Sequence, residues 1–176
     1  RAAASDGYKA QIRLFPGSMR TGSHRGERVG ACTDCRRYWG RYRADEIDAE
    51  EIAAVNEQLV ASVGTCSVMG TASTMACIAE ALGMTMPGGA SPPAVTADRM
   101  RLAEQTGERA VGLARERLGI AQIPTAAPLE NPLRVLLAIG GPTQGNVHLT
   151  PIAGGRGFAV DLPPHAAMAR PLPVMR

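Results

Sequence analysis

The sequence predicts an α/β fold that is rich in helix, and three observations support this class. Four segments repeat apolar residues at helical spacing, and two short apolar runs near the chain ends have the composition of strands. Of the 176 residues, 45% are hydrophobic, but only one tryptophan, three tyrosines and two phenylalanines occur among them. A core must therefore be built from Ala, Val, Leu, Ile and Met, as in one layer of a larger α/β protein.

Charge and hydropathy limit the classes of protein to which this sequence can belong. The formal net charge is +3, and of nineteen Lys and Arg residues only Lys9 is lysine, so the composition indicates little about phosphate binding. No apolar run approaches the roughly 20 residues that span a bilayer, and the N-terminal residues lack the apolar core of a signal peptide. We expect a cytoplasmic protein without a membrane partner, whose four cysteines are thiols or metal ligands rather than disulfides.

Before residue 64 the sequence predicts a strand, a loop and a helix. The run "YKAQIRLF" (8–15) is typical of a short strand, and the glycines and charged residues of 16–33 predict a long loop. Asp48 followed by Glu51 resembles a capping box at the start of a helix. The apolar residues that follow at helical spacing are Ile52, Val55, Leu59 and Val63.

A second helix and a connector are predicted next. Met75, Ile78 and Leu82 recur at helical spacing, and Gly83 is a common residue at a helix C-terminus. The stretch "MPGGASPPAV" (86–95) predicts a connector, because its prolines and glycines support neither a sheet ladder nor a helix.

A third helix is predicted from an N-cap at Thr96 to Leu118, with Gly119 ending it. Spacing places Val111, Ala114 and Leu118 on one apolar face of this helix. That face is expected to be the buried one.

The last third of the chain predicts one more helix and one strand. "LRVLLAIGG" (133–141) indicates the helix, and Pro128 and Pro132 confine its start to about residue 132. Residues 157–162 predict a strand, whereas residues 163–176 have no periodicity and are expected to be unordered.

The motif "GTCSVMGTASTM" (64–75) places Cys66 among small residues, just before a helix predicted from near Thr71. Unpaired N–H groups at a helix N-terminus favour a thiolate, which both a nucleophile and an iron ligand need. The alternative is a buried, inert cysteine at a tight helix entry, and composition by itself favours it. Glu80, on the same helix, is expected to be a solvent-contacting acid.

Two other motifs suggest a binding module rather than an enzyme. "CTDC" gives Cys32 and Cys35 the spacing of zinc and redox sites, but Cys66 and Cys77 do not form a second matched pair. "RRYWGRYR" (36–43) interleaves arginines with aromatics, as single-strand binding proteins do. Because acids follow it directly, we interpret it as a solvated, partly amphipathic segment on a neighbouring subunit, without a nucleic-acid partner.

Three segments, in this order, carry a family resemblance. They are "PGSMRTGSHRGERVGACTDCRRYWGRYRADEI" (16–47), the Cys66 motif with its continuation "ACIAEALGMTMPGGASPPAV" (64–95), and "LENPLRVLLAIGGPTQGNVHL" (129–149). From about Ile12 to Leu162 the chain therefore resembles the dihydroxy-acid dehydratase family, which also contains 6-phosphogluconate and aldonic-acid (sugar-acid) dehydratases.

The resemblance implies a hydro-lyase that removes water from a 2,3-dihydroxy acid to give a 2-keto acid. In such enzymes an iron–sulfur cluster (2Fe-2S or 4Fe-4S), held by three cysteines, acts as a Lewis acid on the leaving hydroxyl. Mg²⁺ holds the small hydroxy-acid substrate and a serine acts as base. The resemblance also implies a layered α/β/α N-terminal domain with mostly parallel strands, in an enzyme that is a dimer or tetramer when whole.

Cys66 falls on the third cluster cysteine of this family. The other two cluster cysteines and the magnesium ligands match positions before this chain, and the serine matches a domain after it, so no catalytic residue is assigned within it. Cys32, Cys35 and Cys77 do not fall on ligand positions. We expect residues 1–162 to be an internal piece of the N-terminal domain and residues 163–176 to be unordered or unrelated.

Gly70 and Ser73 in "MGTASTM" are more similar to the sugar-acid branch, so the resemblance implies an aldonic acid as substrate.

Two departures from the family pattern leave alternatives open. The family has Gly-Gly-Ser-Thr-Asn where this chain has "GGPTQ" (140–144), and Pro151 is expected to interrupt the helix that follows. The alternatives are a non-functional remnant, or a zinc or nucleic-acid binding module that uses the two motifs between residues 32 and 43.

Overall fold

The computed structural model describes residues 17–119 and 127–154, and helices dominate both parts. The elements are β1 (Gly22–His24), β2 (Glu27–Val29), α1 (Ala31–Arg43), α2 (Ala49–Leu59), α3 (Thr71–Ala81), α4 (Ala97–Arg115), α5 (Ala127–Ala138) and α6 (Gln144–Gly154). This content is compatible with the predicted helix-rich α/β class. No helix in these two parts of the chain is long and apolar enough to cross a membrane.

Several predictions concern residues that the structure does not describe. They are the strands at 8–15 and 157–162 and the unordered tail at 163–176. The division of the chain at residue 162 and the layered, mostly parallel sheet therefore stay predictions.

The prediction of a long loop over residues 16–33 is wrong. β1 and β2 pair antiparallel, and Arg25 and Gly26 between them have φ angles of 49° and 83°, the left-handed conformation that a tight hairpin turn requires. A Cβ atom at Gly22 would lie 1.8 Å from the Gln58 carbonyl oxygen, so the hairpin lies directly against α2. Each strand has only three residues, too few for an alternating pattern to show in the sequence.

A first hydrophobic cluster joins the hairpin to α1 and α2. Its buried members are Val29, Tyr38, Ile52, Val55 and Leu59. The predicted start of α2 is confirmed, because the Asp48 carboxylate accepts a hydrogen bond from the Glu51 N–H at 2.8 Å. Val63 was expected on the same apolar face but lies beyond the end of α2 and is 73% exposed.

A second hydrophobic cluster joins α3 to α5 and α6. Its buried members are Ile78, Leu133, Leu136 and Leu149. The predicted end of α3 is confirmed: Gly83 has a φ of 72°, which an L-residue with a side chain adopts at a cost.

The end and the buried face of α4 differ from the prediction. The helix ends at Arg115, because Arg117 turns left-handed with a φ of 55° and the Leu118 N–H then donates to the Leu113 carbonyl oxygen at 3.0 Å. Leu113 is 3% exposed, whereas Val111 is 53% exposed. Helical spacing alone did not distinguish these two faces.

Two of the prolines that were expected to limit helices, Pro132 and Pro151, lie inside them. α5 begins before Pro132, whose side chain is fully buried, and α6 continues through Pro151, whose ring is exposed. Each proline removes one backbone donor from its helix. Burial of Leu136 on α5 and Leu149 on α6 in the second cluster offsets this loss.

Asp48→Ala should lower the free energy of unfolding by about 1 kcal/mol, because the Glu51 N–H loses its capping acceptor. Asp48→Asn is the matched control and should keep most of the stability, since an asparagine side chain also caps. Urea unfolding followed by far-UV circular dichroism measures both. Equal losses in the two variants would contradict the capping role.

Candidate functional site

Cys66 lies in a loop of residues 64–70, here called the Cys66 loop, between a backbone pairing and the start of α3. The preceding Thr65 donates its N–H to the Gly17 carbonyl oxygen at 2.9 Å and accepts from the Met19 N–H at 2.7 Å. Gly64 permits this approach: its φ is 132°, and a Cβ atom there would lie 2.5 Å from the Met19 nitrogen. The pairing is parallel and fixes one end of the loop.

The Cys66 side chain is half-buried at the N-terminus of α3, as the sequence predicts. Gly70 is the N-cap of α3, and a Cβ atom there would lie 3.9 Å from the Cys66 Sγ, so the missing side chain leaves space beside the sulfur. The Ser73 hydroxyl donates to the Cys66 carbonyl oxygen at 3.5 Å. The first turn of α3 has no acidic side chain, so no carboxylate there offsets the partial positive charge of the helix end.

The turn between α5 and α6 (residues 139–143) lies against the start of α3. The Thr71 hydroxyl, in the first residue of α3, donates to Gln144 Oε1, in the first residue of α6, at 2.6 Å. A Cβ atom at Gly141 would lie 2.6 Å from Leu136 Cδ1 and 2.7 Å from Thr74 Cγ2. Only glycine fits at this position without a shift of its neighbours.

Gly145 makes the same kind of contact one turn further along. A Cβ atom there would lie 2.5 Å from Leu136 Cδ1 and 3.1 Å from Ile78 Cδ1. The segment that departs from the family pattern, 140–144, therefore borders the helix that follows Cys66. The contact of this segment with α3 was not predicted from the sequence; Gly141 and Gly145, four residues apart, were the available signal.

The connector at residues 86–95 contains neither helix nor strand, as predicted, but it is held from two sides. Glu80 is half-buried, and besides its contact with solvent its carboxylate accepts from the N–H groups of Gly88 at 2.6 Å and Ala90 at 2.8 Å. From α4, the buried Arg99 donates to the Gly89 carbonyl oxygen at 2.8 Å. Burial lowers the pKa of the Arg99 guanidinium from its ordinary value.

The other cysteines are free thiols that do not complete a metal site. Cys32 is exposed and Cys35 is half-buried, both on α1. Cys77, on α3, is half-buried, and burial together with the nearby Glu80 carboxylate raises the pKa of its thiol. Within residues 17–119 and 127–154, no three His, Cys, Asp or Glu side chains lie close enough together to hold a metal ion. The zinc alternative gains no support here.

Residues 36–43 lie within α1, and their aromatic side chains face the protein's own core. Tyr38 is 4% exposed in the first cluster, and Trp39 packs against that cluster while its Nε1 donates to Asn56 Oδ1 at 3.2 Å. The apolar face of this segment contacts α2 of the same chain, and its place on a neighbouring subunit stays a prediction. The buried Tyr38 ring is therefore not available for stacking on bases.

The described residues form a helix-rich unit with a small antiparallel hairpin, which is compatible with part of an α/β protein, and Cys66 lies just before the start of α3. Residues 2–176 match the family described as "Dihydroxy-acid/6-phosphogluconate dehydratase N-terminal". The chain belongs to this family of dehydratases, which are hydro-lyases, and the resemblance found in the sequence is confirmed.

Three relatives illustrate the similarity. The dihydroxy-acid dehydratase of Methanospirillum hungatei JF-1 is 37% identical over 162 residues, which is 92% of this chain and 29% of the relative. The 6-deoxy-6-sulfo-D-gluconate dehydratase of Pseudomonas putida is 37% identical over 160 residues, or 90% of this chain and 28% of the relative. The dihydroxy-acid dehydratase of Nocardioides sp. (strain JS614) is 38% identical over 153 residues, which is 87% of this chain and 26% of the relative. The chain thus spans less than a third of the length of each of these relatives.

Gly145→Ala should lower the free energy of unfolding by about 1–3 kcal/mol, because the added methyl group overpacks the contact with Leu136. Gly107→Ala, inside α4, is the matched control: a Cβ atom there meets nothing within 4 Å. The control should raise stability by up to about 1 kcal/mol through helix propensity. Urea unfolding measures the free energy of unfolding of both variants. A stabilising Gly145→Ala would contradict the close packing of α6 on α5 and α3.

Proposed function

We propose that this chain is part of the N-terminal domain of a hydro-lyase that converts a 2,3-dihydroxy acid to a 2-keto acid, and that Cys66 is one ligand of its iron–sulfur cluster. Family membership supports the reaction class. The observation that carries the ligand role is the half-buried Cys66 sulfur at the entry of α3, with space beside it at Gly70.

The chemistry of the Cys66 side chain fits one ligand position of such a cluster. Cysteine thiolates are the usual ligands of iron–sulfur clusters, and Cys66 offers one beside small neighbours. Two further cysteines would have to come from outside the described residues, since no three candidate ligands meet within them. When bound, an iron atom with an open coordination position acts as a Lewis acid on the departing hydroxyl group. The proposed Mg²⁺ would also be held by residues elsewhere in the polypeptide.

The α3 entry has the features needed to hold one ligand in place. The parallel pairing at Thr65 fixes the Cys66 loop on one side, and the hydrogen bond from Thr71 to Gln144 fixes it on the other. A ligand held from both sides loses little freedom when the cluster binds, which lowers the cost of assembly. These contacts support a role for the chain in positioning the ligand rather than in transferring a proton.

Exposed apolar side chains near the Cys66 loop support the proposal that more protein covers this surface. Val60 is 65% exposed and Met69 is 53% exposed, and both lie within six residues of Cys66. Contiguous exposed apolar patches mark surfaces covered by other protein, and we propose that these two side chains belong to one. We propose that the remaining length of the enzyme, and its dimer or tetramer contacts, cover them.

For the substrate we propose an aldonic acid. The relatives named for a dihydroxy acid and for a sulfogluconate are equally similar to this chain, at 37% identity, so overall similarity does not separate the two substrate classes. Gly70 and Ser73 favour the sugar-acid branch. Gly70 lies beside the Cys66 sulfur and Ser73 contacts the Cys66 backbone, so both border the proposed site.

The test is Cys66→Ser in the complete enzyme, purified without oxygen. We expect loss of cluster iron, of its visible absorption and of aldonate dehydration, because serine is a poor substitute for a thiolate ligand. Cys77→Ser, on the adjoining helix, is the matched control and should keep all three.

Two results would contradict the proposal. One is a Cys66→Ser enzyme that retains the iron content and absorption of the Cys77→Ser control. The other is a stable cluster on the 176-residue chain alone after reconstitution with iron and sulfide, because the described residues offer a single ligand at this site.

A further inference from the structure

The proposed function uses neither Cys32 nor Cys35, yet the structure makes them neighbours. Both lie in the first two turns of α1, three residues apart. Residues at this spacing share one side of a helix, with about 5–6 Å between their Cβ atoms. Cys32 is exposed, whereas Cys35 is half-buried against the first hydrophobic cluster. One thiol is thus open to reagents and the other is held beside it.

The start of α1 can adjust to bring the two sulfurs together. A disulfide needs Cβ atoms about 3.5–4.5 Å apart, so a shift of roughly 1–2 Å is required. The first N–H groups of a helix have no partners within the helix. Gly30, the N-cap of α1, contributes no side-chain cap, and the Asp34 carboxylate accepts from the Gly30 N–H at 2.6 Å. The unpartnered N–H groups of the first turn therefore do not oppose the shift, and the bond from Gly30 to Asp34 is a restraint at this end of the helix that the shift must accommodate.

We propose that Cys32 and Cys35 form a reversible disulfide by exchange with a low-molecular-weight disulfide such as glutathione disulfide. This modification site is independent of the dehydratase proposal, since it requires neither a cluster nor substrate. Cys32 is the attacking thiol because it is exposed, and Cys35 resolves the intermediate because it lies one turn away.

The exchange proceeds in two balanced steps. The Cys32 thiolate attacks one glutathione sulfur, the S–S bond of glutathione disulfide breaks, and one glutathione leaves as a thiolate that takes up the proton Cys32 lost. The Cys35 thiol then loses its proton, its sulfur attacks the Cys32 sulfur, and the second glutathione leaves and is protonated. The chain is oxidised by two electrons, and glutathione disulfide is reduced to two thiols.

The remaining two cysteines are poorly placed for the same reaction. Cys66 lies in a loop, and Cys77 lies in the second turn of the next helix, eleven positions later. Burial also raises the pKa of the Cys77 thiol, so that less of it is the reactive thiolate near neutral pH. We therefore expect the internal disulfide to form within the pair on α1.

The experiment exposes the folded 176-residue chain to glutathione disulfide, quenches with acid, alkylates the free thiols and measures intact mass and peptide maps. We expect two of the four thiols to be lost and a peptide with Cys32 linked to Cys35, with both thiols recovered after dithiothreitol. The double variant Cys66→Ser/Cys77→Ser leaves α1 unchanged and should lose both of its thiols.

Single variants test the order of attack. Cys35→Ser should accumulate a glutathione adduct on Cys32, and Cys32→Ser should remain largely unmodified at the half-buried Cys35. Four alkylated thiols, a persistent glutathione adduct on Cys32 in the unaltered chain, or a link that involves Cys66 or Cys77 would overturn the proposal. Because the double variant keeps α1 intact, its thiol count decides the question even where a single variant folds poorly.

Discussion

The close approach of α3 to the turn between α5 and α6 is the contact on which the placement of Cys66 depends. Gly141 and Gly145 allow it, because a Cβ atom at Gly141 would lie 2.7 Å from Thr74 Cγ2 and one at Gly145 would lie 3.1 Å from Ile78 Cδ1, both on α3. The same approach brings Ile78 into the second hydrophobic cluster, where its full burial contributes about 1.5–3 kcal/mol. Since the Cys66 loop leads directly into α3, whatever fixes that helix also fixes one end of the loop.

Local signals in the sequence predicted the elements whose ends are set by their own side chains. Asp48 caps α2 through its own carboxylate, and Gly83 ends α3 through its own backbone conformation. The hairpin was missed because its contact with α2 at Gly22 is a tertiary one. Pro132 and Pro151 misled the prediction for the same reason, since burial of neighbouring leucines outweighs the missing hydrogen bonds.

In the candidate site too, features set by adjacent residues were predicted from the sequence, and contacts between distant residues were not. The motif itself predicted that Cys66 lies at a helix entry, because the glycines, the cysteine and the following apolar period are adjacent in sequence. The hydrogen bond between Thr71 and Gln144 joins residues 73 positions apart, and sequence periodicity does not predict a contact between such distant residues. Glu80 was likewise assigned to solvent, although its carboxylate holds the connector by two backbone hydrogen bonds. A single sequence shows which residues carry the chemistry better than it shows what holds them in place.

The central claim, that α6 holds the entry of α3 where Cys66 lies, is tested most directly by a double-mutant cycle on Thr71→Val and Gln144→Ala, with the free energy of unfolding as the readout. The side chains of Thr71 and Gln144 are 2.6 Å apart, so the account predicts a coupling energy of about 1 kcal/mol between the two substitutions. Additive effects, with a coupling below about 0.3 kcal/mol, would contradict it.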